Sequence, residues 1–282
     1  MSFKSSSKLV NNFRGINLAC GGKLCEEPGW INADPNPSRG NVMKIDLRKP
    51  LLFKENTFDV VYHSQFIEHL PHDKAINFMR ECHRILKPGG VLRVVTPDLY
   101  NQATEYLRNL QAVLDSPDDQ VKLRYDWIRL EMLDQLTRHA PGGEMIKFLE
   151  KSGHNIRDYL WERMGRSGNN LVPSSVSISD KKTTKVILRL IKTKIFKTIN
   201  HFTPKQLFVG RFRLSGESHL CMYDEYLLSN LFRITGFSDV SRENAKSSRI
   251  ESWDATKLDC DSQGNPDGSV SLFMEAIKPI IM

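Results

Sequence analysis

The sequence predicts an α/β fold: a mostly parallel, Rossmann-like sheet that ends in an antiparallel pair, plus a mainly helical insertion. Three observations predict it. The apolar run Ile16-Asn17-Leu18-Ala19-Cys20 breaks at Gly21-Gly22, and twelve residues later Asp34 closes a second short run, Trp30 to Ala33. As far as Asp98, short apolar runs and one helical pattern alternate, the rhythm of a parallel sheet with helices on its faces. From Tyr223 onward the order is helix, strand, turn, strand, which gives an antiparallel edge pair.

Residues 1–14 read as a loose arm, and the first strand covers 15–19. In open α/β sheets a ligand lies across the carboxyl ends of the strands, and glycines let it approach closely. An acid at the end of the next strand, here Asp34, can accept hydrogen bonds from ribose hydroxyls, which suits an adenosine-type cofactor. NAD is disfavoured because Ala19 stands where the first glycine of G-x-G-x-x-G belongs and no third glycine follows. No Walker phosphate loop occurs either. The link to Trp30 contains Pro28-Gly29 and is short for a parallel crossover, so only a turn or so of helix fits.

A third short strand covers 41–45, and Phe58 to Tyr62 forms a fourth that stops at His63-Ser64. Ile76, Met79, Cys82 and Leu86 recur at helical spacing over about 72–86, and Lys87-Pro88-Gly89-Gly90 is expected to stop that helix. Val91 to Val95 is the fifth strand, ending at Thr96-Pro97-Asp98. Then the alternation disappears. Residues 101–138 read as helical with a break at Pro117, and 165–179 as a loop, so 100–213 is taken as a helical insertion or lid. The expected main domain is 1–99 with 214–282, closing with a helix over 223–234, strands at 237–240 and 269–277, and hairpin-like turn chemistry over 259–268.

Hydrophobic content of 40% and charged content of 26% are those of a globular chain. No apolar run approaches the length of a membrane span, and the polar start lacks the apolar core of a signal peptide. Five scattered cysteines fit a reducing compartment, so a cytoplasmic protein is expected. Net charge is +7, yet the ten Lys and Arg of 181–213, with no acid among them, leave −3 for the remainder. The basic character belongs to one segment.

Seven stretches of the first hundred residues, taken in order, resemble the class I S-adenosylmethionine-dependent methyltransferases. They are Ile16–Gly22, Gly29–Asp34, Ile45–Leu47, Asn56–Val61, Phe66–Leu70, Ile85–Gly90 and Val94–Asp98. The tail is similar to a subgroup met in polysaccharide biosynthesis through Gly216–His219, Met222–Asp224, Gly236-Phe237, Ser248–Ile250 and Ser271–Ala276. The resemblance implies a seven-stranded sheet and S-adenosylmethionine as cofactor. It implies that Asn17, Ala19, Cys20, Gly21 and Gly22 line the methionine and ribose portion, that Asp34 holds the ribose, and that Asp46 and Leu47 flank the adenine. His63, Ser64 and Gln65 would face the sulfonium. Asn17 and Ala19 depart from the usual acid and glycine.

Glu68-His69 resembles a metal-binding pair of the ubiquinone-pathway O-methyltransferases, but Gln65 replaces their further Glu, so no metal is expected. Methyl transfer to oxygen requires the protein to align the acceptor and to remove a proton. His219 is the candidate base and Asp98 the residue that orients it or the substrate. Their plain alternatives are a helix-cap polar group and a solvated strand-end acid. The expected acceptor is a hydroxyl of a sugar or glycan intermediate. RNA, another small molecule, and a non-catalytic cofactor-binding module are the alternatives.

In 181–213, Val186, Ile187, Leu190 and Ile191 oppose Lys185, Arg189 and Lys192. That stripe is a solvated helix face or a contact with an anionic membrane. Nucleic acid ranks lower because few aromatics interleave the cations.

Overall fold

The computed structural model describes residues 13–37, 40–165, 205–260, 264–266 and 270–280. Two compact units emerge, one from 1–101 with 220–282 and the other from 102–219.

The first unit is built on strands β1 (Gly15–Leu18), β2 (Trp30–Asp34), β3 (Met43–Lys44), β4 (Phe58–Ser64), β5 (Leu86–Pro97), β6 (Ser238–Glu243) and β7 (Ser271–Ile277). They form one sheet in the order β3-β2-β1-β4-β5-β7-β6. The first five pair in parallel, and β7 runs antiparallel to both β5 and β6. Strand order therefore reverses beside β1, where open α/β sheets place their ligand crevice. Every residue of β1 is buried, and position 15 must be glycine because a Cβ there would lie 2.6 Å from the Trp30 ring.

One sheet face carries Ile16, Leu18, Val61, Leu92, Val94 and Met274. Helix α1 (His72–Ile85) covers it with Ala75, Phe78, Met79, Cys82 and Ile85, an i, i+3, i+4, i+7 stripe. The helix ends where the sequence suggests, but Lys87–Gly90, with Gly89 at φ +80°, form an irregularity inside the next strand, across which the register to β4 shifts. The helix gives way at Leu86 directly to β5, and Lys87–Gly90 belong to that strand. The cause is pairing with the chain beyond β7: Gly89 N–H donates to the Lys278 carbonyl and Lys278 N–H to the Gly90 carbonyl.

The opposite face carries Val60, Tyr62, Val95 and Phe273. The β1–β2 link holds no helix, and the cover comes instead from the chain after β6, through Ala245, Ile250, Trp253 and Leu258. Arg93 fixes that cover. Fully buried, it donates to Asp259 (2.7 Å) and Glu275 (2.6 Å) and to the carbonyls of Ser247 and Asn244. Its guanidinium also stacks 4.7 Å from the Trp253 ring centroid.

Helix α2 (Leu99–Asp115) leads into the second unit, which holds α3 (Asp119–Thr137), α4 (Gly143–Ser152), α5 (Arg157–Met164) and α6 (Lys205–Arg213). The break at Pro117 is real, and Asp118 caps α3 by accepting from Val121 N–H. Trp127 packs with Leu149, Tyr159 and Leu160, while Glu131 holds Arg163 through both carboxylate oxygens. Of the basic segment only α6 is described; the stripe Val186–Ile191 with Lys192, Lys194 and Lys197 lies outside the described residues. Among the described residues no helix is long and apolar enough to cross a membrane.

The sequence closes with helix α7 (Glu225–Ile234), capped by Asp224 through Leu227 N–H, which packs Leu228, Leu231 and Phe232 onto the α1 face. The expected strand at 237–240 is β6; Cys260 bridges to Pro266, and the rest of the expected turn, 261–263 and 267–268, lies outside the described residues.

Replacing Arg93 by Met leaves two buried carboxylates uncompensated. Urea denaturation of Arg93→Met is expected to show a loss of about 3–5 kcal/mol, and an unchanged midpoint would refute the role given to the cluster.

Candidate functional site

Beyond β1 and β4 the backbone turns through left-handed conformations at adjacent strand ends: Ala19 has φ +54°, Gly21 φ +51° and Gln65 φ +52°. Such conformations cost a non-glycine residue about 1–2 kcal/mol, and they gather where function needs them. Ala19 thus occupies a position that glycine would take without strain. The turn is held by Cys20 N–H to the Ala33 carbonyl and Lys23 N–H to the Cys20 carbonyl.

Asp34 closes this turn. Its carboxylate accepts from Gly21 N–H through Oδ2 (2.8 Å) and from Asn36 N–H through Oδ1 (2.7 Å). Each oxygen keeps a further lone pair, so a pair of neighbouring hydroxyls can donate to the same carboxylate. A methyl built on either Gly21 or Gly22 meets no atom within 4 Å, so the turn is open there.

Beneath it lies a buried amide pair. Asn17 Nδ2 donates to the Lys23 carbonyl (2.8 Å) and to Asn32 Oδ1 (3.0 Å). Asn32 in turn accepts from Cys25 N–H and donates to the Cys25 carbonyl. These bonds fix which way the Asn17 amide points and leave its Oδ1 buried without a partner. An unmet buried acceptor costs about 1–3 kcal/mol, which a cationic amine would relieve. Burial raises the Cys20 and Cys25 thiols to about 11, so both stay protonated and unreactive.

The remaining expected site residues divide. Asp46 is partly open, held by Arg48 (3.0 Å) and Lys49 (3.8 Å), and the Arg48 hydrogen bonds lower its carboxyl. Leu47 is buried in the α1-side core, so only its backbone can face a ligand. His63 lies deeper than the others. Its imidazole is fully buried against Phe66 and Phe78, with neither nitrogen bonded, and burial lowers it to about 3. Alternation along β4 turns it onto the α1 face, beside Phe78. Ser64 is partly exposed at the end of β4, and Gln65 reaches sideways to donate to Ser271 Oγ (3.2 Å).

Asp98 is buried with both oxygens engaged, by Arg242 (2.7 Å) and by Asn101 N–H in the first turn of α2. That is a capping and charge-pairing role. His219 falls in the second unit, where its backbone N–H donates to the Gln135 carbonyl (3.0 Å). Two polar groups in the first unit were not expected as site residues. Glu68 and Tyr223 are buried, and each keeps a side-chain oxygen without a hydrogen bond. The sequence singled out Glu68 only as half of the Glu68-His69 pair, set between the apolar Ile67 and Leu70.

Residues 30–94 match the family model described as a methyltransferase domain. The chain is similar to a crystal structure of a SAM-dependent methyltransferase from Archaeoglobus fulgidus, at 15% identity and a TM-score of 0.41, covering 95% of this chain and 87% of that one. It is also similar to phosphoethanolamine N-methyltransferase 2 of Haemonchus contortus, solved with S-adenosylhomocysteine, at 12% identity and a TM-score of 0.37, covering 95% and 49%. A comparison with curated proteins finds no match. The structural likenesses are loose, and the fold assignment rests on the strand order itself. The likeness to a methyltransferase domain thus covers residues 30–94, in a sheet whose strand order reverses beside β1, and S-adenosylmethionine is the cofactor that the sequence resemblance implies.

The site fits that cofactor: the Asp34 carboxylate suits the ribose hydroxyls, and the orphan Asn17 Oδ1 suits the ammonium of the methionine portion. Restoring an acid at position 17 should be harmful, because its oxygens would face the Lys23 carbonyl and Asn32 Oδ1. Thermal melts of Asn17→Asp are expected to show destabilisation of about 1–3 kcal/mol; a variant as stable as the parent would contradict the amide orientation described.

Proposed function

We propose that this protein is an S-adenosylmethionine-dependent O-methyltransferase whose acceptor is a hydroxyl of a sugar or glycan intermediate. The observation that carries the cofactor half is Asp34, fixed by two backbone N–H groups at the carboxyl end of β2 beside an open glycine turn. The acceptor half rests on the tail residues, Gly216–His219 and Met222–Asp224 above all, which resemble the polysaccharide-associated subgroup.

Asp34 would hold the ribose, Asn17 Oδ1 the ammonium, and the backbone of Asp46 and Leu47 would border the adenine. The cofactor supplies an electrophilic methyl that already carries its leaving group. The chain's own contribution is alignment of the acceptor, exclusion of water and acceptance of a proton. The buried thiols stay out of the chemistry because they remain protonated.

Calorimetry should give micromolar binding of S-adenosylmethionine and S-adenosylhomocysteine, about −8 kcal/mol, weakened at least tenfold by Asp34→Ala. Methyl-labelled cofactor offered with nucleotide sugars and simple glycosides should then yield an O-methylated product. Folded parent protein that binds neither cofactor would overturn the proposal, whereas binding with transfer only to amines or RNA would overturn its acceptor half.

A further inference from the structure

Apart from the glycine turn, the carboxyl ends of β4 and β5 carry a second polar cluster. Glu68 lies in the single helical turn Ile67–His69 that follows β4, and its side chain is fully buried. Its Oε2 accepts from Thr96 Oγ1 (3.1 Å) near the end of β5, while its Oε1 has no hydrogen bond. The turn is pinned from the other side, since the Glu68 carbonyl accepts from Leu220 N–H (2.7 Å) and Cys221 N–H (3.2 Å). Tyr223, which bridges in parallel to Asp98, brings a buried hydroxyl that also lacks a hydrogen bond. Two unmet polar atoms from separate segments, both at the ligand-binding end of a parallel sheet, are costly unless a ligand uses them.

We propose that Glu68 is the group that accepts the proton of the acceptor hydroxyl, with Thr96 orienting its carboxylate and Tyr223 supplying a second polar contact. This rests on the methyl-transfer reading above. In the step, the acceptor oxygen bonds the methyl carbon as the carbon–sulfur bond breaks, sulfur keeps that electron pair, and Glu68 Oε1 takes the hydroxyl proton. The proton then passes to solvent.

Three other titratable groups at these strand ends are occupied or unsuited. Asp34 already accepts two backbone N–H bonds, Asp98 is bound by Arg242 and Asn101, and the His63 ring is held too acidic by burial to take a proton near neutrality. Burial raises Glu68 to about 7, the range that suits a base working near neutral pH. Its titratable neighbours in this unit are His69, with a ring nitrogen within 4.8 Å of a carboxylate oxygen, and Tyr223 with the adjacent Cys221. Tyr223 is raised by burial, then by Cys221 and by the Glu68 charge, so it stays a neutral donor. A sulfonium nearby favours the ionised carboxylate before transfer. Loss of that charge on transfer lets the carboxyl keep the proton it has accepted.

The first test needs no acceptor. S-adenosylmethionine carries a sulfonium charge that S-adenosylhomocysteine lacks. An infrared titration of the buried carboxyl band should place its midpoint at least about one pH unit lower in the methionine complex than in the homocysteine complex. Glu68→Gln should abolish that band while binding both cofactors, and should lower methyl transfer by about 100-fold or more. Should Glu68→Gln not fold, Thr96→Val identifies the same band by moving its midpoint upward. Equal midpoints in the two complexes, or a band indifferent to both substitutions, would overturn the assignment while leaving the methyltransferase reading standing. Failure of either cofactor to bind would overturn both.

Discussion

The bond from Gly21 N–H to Asp34 joins the two features on which the site depends. It holds the turn after β1 against the end of β2, and it fixes the carboxylate that would receive the ribose. A backbone amide is also a firm anchor, since it cannot rotate away from its strand. The same turn takes the chain through positive φ at Ala19 and Gly21, so the clasp holds a strained conformation in place. Below it the Asn17–Asn32 pair does with neutral amides what a charged residue would have to do with compensation, and burying a neutral group costs far less than burying an ion.

A second constraint follows from the shortness of the β1–β2 link. No crossover helix fits there, which leaves the Tyr62 face of the sheet to be covered by other means. The chain after β6 does so, and Arg93 secures it through Asp259, Glu275 and the Trp253 ring. Tyr62 joins the same cluster by donating to Asp259 (2.6 Å). Several tail residues that resemble a methyltransferase subgroup therefore have structural work: Asp224 caps α7, and Ser248 and Arg249 bond Glu275.

Much of the fold was legible because it is written in periodicity. The strand centres, the α1 stripe, the break at Pro117 and the antiparallel ending all follow from local pattern and turn chemistry. Pairing partners were not legible: the positive φ at Gly89 agrees with a break after α1, but the bonds from Gly89 and Gly90 to Lys278, which keep these residues within β5, could not be read. In the site, Asp34 and the glycine turn could be placed from spacing alone. The direction of His63 could not, since one residue along a strand exchanges core for rim. Nor could the full engagement of Asp98, which depends on Arg242 lying 144 positions away. Glu68 was visible only as a partner of His69: its burial is a property of the packed molecule, which sequence pattern does not give.

The most direct test of the account is a crystal structure grown with S-adenosylhomocysteine. The account predicts the ribose hydroxyls on the Asp34 carboxylate, the amine on Asn17 Oδ1 and the sulfur toward the carboxyl end of β4. An adenosyl group bound elsewhere, with Asp34 still engaged only by Gly21 and Asn36, would contradict it.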